Sequence, residues 1–370
     1  MGFKCPKRML NGPCSSYRDN LCELGNVACP WIGAYKVLSK YGKLNEFFKF
    51  RLDPDFVVRD YYPVTRRSQT LVNKLLSGKL MVFYEVYIPK YHRVLKHLEE
   101  LKELAKYVDF YVIPDSPFGL PTPHVLTVAT AIKLLIGNSV ITEISCRNKT
   151  KEEFIKLILT SLSLGIEDFI ITTGDLPLGE GGEYYFELDS CRATYLTRLI
   201  ADLGIDHKGR YVSLGGFNVS IGVVTNPNSK YLDLEVGKTL RKLRCGANVV
   251  FLQLTYDFKL ITDLVKALRN EVNNLPIVPL FVPLKKVSDV NMVKHLGIRI
   301  GKNVREKALD YLRKGKALEL NIELLRNLIE VMDTTGLSSI YISTYGDITL
   351  AKELIKVVKG VGKGLTVLRG

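Results

Sequence analysis

Glu143 and Arg147 in the strand-like run VITEISCRN, and Gly174 and Asp175 in the turn of IITTGDLP, stand at the ends of two apolar runs joined by a helix-like segment. Read as one β-α-β unit, residues 140–177 bring all four to one mouth, because the carboxyl ends of parallel strands are where ligands and reacting groups sit. Asp175 taken alone is equally an ordinary turn residue. Another carboxylate, Glu85, lies inside LMVFYEVYIP with apolar and aromatic neighbours on both sides. That setting desolvates the carboxyl and raises its pKa toward the range useful for a general acid, unless a Lys or Arg pairs with it structurally.

The cysteines are the second group with chemical potential. Four of seven, Cys5, Cys14, Cys22 and Cys29, fall in the first 29 residues. Cys146, Cys191 and Cys245 are scattered and read as small packing residues. Four thiolates in a segment too short to bury a core suggest a metal centre, with Gly12, Pro13 and Gly25 supplying the turns around it. The spacings of eight, seven and six residues are not those of a zinc ribbon, and reduced structural thiols are the alternative. The five histidines form no HExxH or triad spacing.

These residues need a scaffold, and the chain is long enough for a large one. Its 370 residues, 46% apolar and 24% charged, are those of an ordinary globular protein with a big core or two domains. No run approaches the roughly 20 apolar residues that span a bilayer, and MGFKCPKRML lacks a signal-peptide core, so a cytoplasmic location without membrane contact is expected. The 52 Lys and Arg against 38 Asp and Glu, a formal charge of +14, are spread along the chain with no nucleic-acid-binding pattern. The expected partners are therefore anionic small molecules rather than nucleic acid.

After a helix-like stretch and a Pro-containing, charged linker, LMVFYEVYIP reads as a buried first strand. From there strand-like and helix-like segments alternate about eight times to the end, which predicts a closed (β/α)8 barrel, with an open doubly wound sheet as the alternative. No GxGxxG follows the first strand. The expected organisation is a cysteine-rich metal-binding module over 1–35, a helical linker docking on the barrel over 36–78, and the barrel over 79–370.

The paired signature TEISCRNKT and TTGDLP resembles the flavin-binding core of the methylenetetrahydrofolate reductase family, a TIM barrel. The resemblance implies bound FAD and the reduction of a 5,10-methylene-tetrahydropterin, folate-type or methanopterin-type, to the 5-methyl form. Glu85 matches the glutamate that acts as the acid, and Asp175 the aspartate beside the flavin. Gln253, in VVFLQLTYD, matches a glutamine whose amide can read the pterin edge. Thr142, Cys146, Arg147, Asn148 and Gly174 match flavin-contacting strand ends, as does Asp115 in IPDSPFG, whereas Glu143 replaces a histidine seen in many members. Arg241 and Lys242 match a basic pair able to face flavin phosphate or ribose, or equally form a solvated helix face.

The run CPKRMLNGPCSSYRDNLCELGNVACPW is similar to a cysteine-rich module found as a partner or fused segment of these reductases, and implies zinc or one 4Fe-4S cluster on Cys5, Cys14, Cys22 and Cys29. NAD(P)H or a redox protein would be the electron donor, with a homo-oligomer or a complex with a redox subunit expected. The competing class is an electron-transfer or methyl-transfer subunit that binds a pterin in the barrel without flavin chemistry of its own.

Overall fold

The computed structural model describes residues 5–18, 20–23, 27–62, 70–87, 94–176 and 184–365. Pro89 and Pro177, which end two of the motifs above, lie outside the described residues. The strands are β1 (Met81–Glu85), β2 (Phe110–Ile113), β3 (Ser139–Ser145), β4 (Asp168–Thr172), β5 (Ser220–Thr225), β6 (Val249–Leu252), β7 (Ile277–Val278), β8 (Leu280–Phe281) and β9 (Ser339–Ile342). Every neighbouring pair is parallel. β7 and β8 form one stave interrupted by Pro279, which has no N–H to give the ladder. Its first half pairs with β6 and its second with β9, while β9 pairs with β1, so the sheet closes on itself. The open-sheet alternative is thereby set aside.

Three helices precede the barrel: α1 (Pro30–Lys40), α2 (Leu44–Phe48) and α3 (Thr70–Leu76). The crossover helices are α4 (Val94–Lys102), α5 (Val125–Leu135), α6 (Lys151–Ser163), α7 (Ser190–Arg198), α8 (Leu232–Arg244) and α9 (Phe258–Glu271). Between β8 and β9 come three helices: α10 (Val287–His295), α11 (Lys302–Arg313) and α12 (Ala317–Thr334). Gly297 and Gly315, both at positive φ, end the first two. α13 (Ile348–Leu365) completes the ring.

The period-2 pleat splits each strand between two cores. Met81, Phe83, Phe110, Val112, Ile141, Ile170, Phe251 and Tyr341 fill the barrel interior, while Val82, Tyr84, Tyr111, Ile144, Ile171 and Ile340 pack against the helices. Gly222 is part of this fit, since a Cβ there would lie 2.6 Å from the Phe251 ring. Leu71 and Leu75 of α3 enter the inner core, with Lys74 over the Phe110 ring at the start of β2, and so close the amino-terminal end. That leaves the carboxyl-terminal end as the open one.

The first 50 residues bury a small core of their own: Met9, Cys29, Trp31, Ile32, Tyr35 and Phe47, joined by Leu234 of α8. The segment lies over the open end of the barrel, on the same side as the strand ends singled out by the sequence.

Candidate functional site

A cavity of about 610 Å³ occupies the carboxyl ends of the strands. Glu85 ends β1, and its carboxylate accepts from Tyr341 Oη at 2.8 Å and from Ser343 Oγ at 2.5 Å. Burial raises its pKa, and those two hydrogen bonds oppose the rise. Glu143 faces the same cavity from β3 and is pushed up to about 8, first by burial and then by the negative charges of Glu85, Asp175 and Asp115. At neutral pH it holds a proton. Asp175, at the rim, is also raised by burial, against the pull of Lys7 and Arg147. Gln253 follows β6 and lines the cavity, its Oε1 accepting from the Leu254 amide at 3.0 Å.

The pleat of β3 corrects two expectations. Thr142 and Cys146 are buried and do not line the cavity, and Cys146 packs in the core shared with the helices. Successive side chains of a strand point to opposite faces, so with Glu143 turned inward its neighbour Thr142 turns outward. Glu143, which the family resemblance left without a role, is the β3 carboxyl that the cavity receives.

Arg147 and Asn148 shape the mouth without lining it. The Arg147 guanidinium donates to the Gly119 carbonyl at 2.8 Å, and Asn148, at φ +55°, exchanges hydrogen bonds with the Tyr185 backbone. Gly174 sits at φ +91°, where a Cβ would lie 2.9 Å from the Arg147 Cβ, so only glycine fits there comfortably. Asp115 lines the cavity, pairing with Lys149 at 2.7 Å and accepting from the Ser145 amide at 3.1 Å.

The basic pair of α8 divides. Lys242 lines the cavity, with Nζ 2.7 Å from the Val224 carbonyl and a pKa lowered by burial. Arg241 does not reach it: the side chain is buried at the α8 interface with the N-terminal segment, its guanidinium 5.6 Å from the Phe48 ring. α8 turns these neighbours onto different faces, and the aromatic residues of α2 cover one of them.

The N-terminal segment forms the remaining wall. Lys7 Nζ, almost fully buried, bonds Glu23 at 2.7 Å and the Gly174 carbonyl at 2.8 Å, while Glu23 accepts from the Leu176 amide at 2.8 Å. Asp189, the N-cap of α7, accepts from the Leu10 and Asn11 amides at 3.0 and 3.2 Å. Ser15 accepts from Asn226 Nδ2 at 3.0 Å through its carbonyl, and Cys14 lines the cavity.

The expected metal centre is not supported. Among the described residues no three Cys, His, Asp or Glu are placed to hold a metal ion. Cys29 packs with Trp31 and Phe47 in the small core, and Cys5 and Cys14 pack against it, Cys14 also lining the barrel cavity. The thiols are still neighbours: burial raises the pKa of Cys5 and of Cys29, and the charge of Cys14 adds to both.

A closed parallel β/α barrel, with carboxyls of raised pKa gathered at the carboxyl ends of its strands, has the architecture of a barrel enzyme. Residues 70–359 match the methylenetetrahydrofolate reductase family model, and the chain belongs to that family. Residues 2–56 match a second model, described as the methylene-tetrahydrofolate reductase C terminal. Among solved structures, a Clostridium thermocellum protein described as binding two copies of 5-methyl-5,6,7,8-tetrahydrofolic acid is 17% identical, with a TM-score of 0.55 over 79% of this chain and 98% of its own. That likeness is one of fold. An oxaloacetate acetylhydrolase, 12% identical over 82% of this chain and 87% of its own, has a TM-score of 0.42, too low to carry an argument. A search of curated proteins returns no match to this chain.

Among the described residues no helix is long and apolar enough to cross a membrane.

Proposed function

We propose that the chain reduces the methylene bridge of a 5,10-methylene-tetrahydropterin to a 5-methyl group. The observation that carries this reading is the placement of Glu85 and Glu143 in one cavity, each with its pKa raised, within a chain of this family. The substrate must gain a proton on the nitrogen that leaves the bridge and a hydride on the carbon. Two carboxyls close enough to repel each other's charge retain a proton between them near neutral pH, which suits the acid role.

Glu85, held by Tyr341 and Ser343, delivers the proton that the two carboxyls share, with Glu143 as its reservoir. Tyr341 stays protonated, its pKa raised by burial and by the charge of Glu85, and its hydroxyl donates to the Glu85 carboxylate. Asp175 at the rim faces the cation that ring opening creates and favours it electrostatically. Gln253 supplies an amide for the donor and acceptor edge of the pterin.

The cavity fits the reactive end of a flavin. Its volume lies within the roughly 300–1,000 Å³ of ligand pockets, and Ile170, Phe251, Leu280 and Val282 give it an apolar floor beside the polar Asn226, Asn228 and Lys242. Asp115, Gly174, Asp175 and Lys242 would hold FAD there. When bound, a reduced flavin supplies the hydride. NAD(P)H or a redox protein would then recharge it. A cytoplasmic location belongs to the same reading.

The Clostridium thermocellum neighbour's methylated folate favours a second reading, a pterin-binding or methyl-transferring barrel without flavin. Absorption spectra of the anaerobically purified protein during FAD titration separate the two. Saturable binding with the flavin band near about 450 nm supports the reductase. A protein that takes up pterin and no flavin supports the second reading.

A further inference from the structure

Cys146 has the packing role expected of the scattered cysteines, but Cys191 and Cys245 are placed to do more. Cys191 is the second residue of α7, and Cys245 follows directly on α8, which packs against α7. The two thiols share one buried cluster and are hydrogen-bonded to each other. Arg198 of α7 donates to the Gly246 carbonyl at 2.8 Å, so the backbone beside Cys245 is tied to the helix that carries Cys191. Their access differs. Cys191, 3% exposed, lines the main cavity, whereas Cys245, 1% exposed, does not reach its wall. A molecule small enough to enter the cavity therefore meets Cys191 first.

The surroundings also give the two sulfurs different states. The hydrogen bond from Cys245 lowers the pKa of Cys191, burial and Asp189 oppose it, and the charges of Arg241 and Lys242 lower it further. Burial and that same bond raise the Cys245 thiol well above its ordinary value. One sulfur is set up as the attacking thiolate, and the other holds its proton beside it.

We propose that Cys191 and Cys245 form an oxidisable dithiol site, and that its oxidant is a small hydroperoxide admitted through the cavity. The Cys191 thiolate attacks a peroxide oxygen and the O–O bond breaks. For hydrogen peroxide the departing hydroxide takes a proton from solvent and leaves as water, and Cys191 becomes a sulfenic acid. The Cys245 sulfur then attacks the Cys191 sulfur. The S–O bond breaks, the hydroxide leaves as water with the proton of Cys245, and the disulfide forms. Across the two steps the dithiol gives up two electrons and two protons, and the peroxide takes up both. The bridge joins the first turn of α7 to the end of α8, the helix that carries Lys242 of the cavity wall.

The test exposes the fully reduced chain to hydrogen peroxide, blocks the remaining thiols with iodoacetamide at timed intervals, and maps the digest by mass spectrometry without reduction. Cys146, buried in the same cluster with its pKa raised by burial, is the internal comparison. A peptide pair bridged through Cys191 and Cys245 is expected to form roughly tenfold faster than Cys146 is modified, and to reopen with dithiothreitol. Cys245→Ser should stop at a sulfenic acid on Cys191 that dimedone captures, and Cys191→Ser should leave Cys245 unmodified over the same time. Recovery of Cys191 and Cys245 as free thiols after Cys146 has been oxidised overturns the inference. So does a sulfenic acid that accumulates on Cys191 of the unmodified chain without closing on Cys245. Should either variant fail to fold, the unmodified chain alone decides between these results.

Discussion

Lys7 donates to the Gly174 carbonyl across 2.8 Å, joining the cysteine-bearing N-terminal segment to the turn that presents Asp175. The same ammonium pairs with Glu23, and both side chains are buried, at 2% and 8% exposure. The segment is therefore a structural wall of the cavity. Lys7→Met should leave the Glu23 carboxylate buried without its partner and cost about 3–5 kcal/mol. The double variant Lys7→Met, Glu23→Gln should recover part of that loss. Chemical denaturation of the three proteins checks this, and a single variant as stable as the unmodified chain would show that the pair does not anchor the segment.

Replacing the acid should separate chemistry from binding. Glu85→Gln keeps the hydrogen-bonding shape toward Tyr341 and Ser343 but removes the proton source. A fall in kcat of about 10²–10⁴ with pterin affinity within a few fold is expected. Loss of affinity with kcat preserved would make Glu85 a binding residue instead.

Glu143 makes stability depend on pH. Its folded pKa of about 8 lies above the ordinary carboxylate value, so the folded state binds the proton more tightly than the unfolded chain does. Its favourable share is complete below the unfolded pKa and is lost as pH rises through about 8. Glu143→Gln should therefore stabilise the protein on the order of 4 kcal/mol at pH 8 and hardly at all at pH 4. Thermal unfolding at the two values measures the difference. The basic limb of the kcat profile should fall near the same pH and move in this variant.

Gly174→Ala tests the mouth. The added Cβ meets the Arg147 Cβ at 2.9 Å, at a φ of +91° that costs an L-residue about 1–3 kcal/mol. Moderate destabilisation with weakened pterin and flavin binding is expected, because the turn carries Asp175. Unchanged binding would remove that turn from the site.

The barrel was legible because each strand and helix carries its own period, from the first strand at Met81 to the last at Ser339. Glu85, Asp115, Asp175 and Gln253 were legible for a related reason, since strand ends in a parallel sheet share one mouth. Which β3 residues turn inward was not legible. Both faces of that strand are buried, so VITEIS has no polar–apolar alternation to fix the parity of Thr142 and Glu143. Arg241 was misplaced for a different reason, because the aromatic residues that cover it come from a segment nearly 200 positions away, as the Phe47 contact separation of 194 shows. A second cavity of about 500 Å³ gathers Arg18, Lys230 and the stretch from Lys294 to Arg305, which no local pattern connects.

The most direct test of the proposed reaction is a single turnover. The FAD-loaded protein is reduced anaerobically, mixed with 5,10-methylene-tetrahydrofolate and followed at about 450 nm, with the pterin product identified. Reoxidation of the flavin, with one 5-methyl product formed per flavin and slowed in Glu85→Gln, is the expected result. A flavin that stays reduced while the methylene-pterin is bound and unchanged would contradict it.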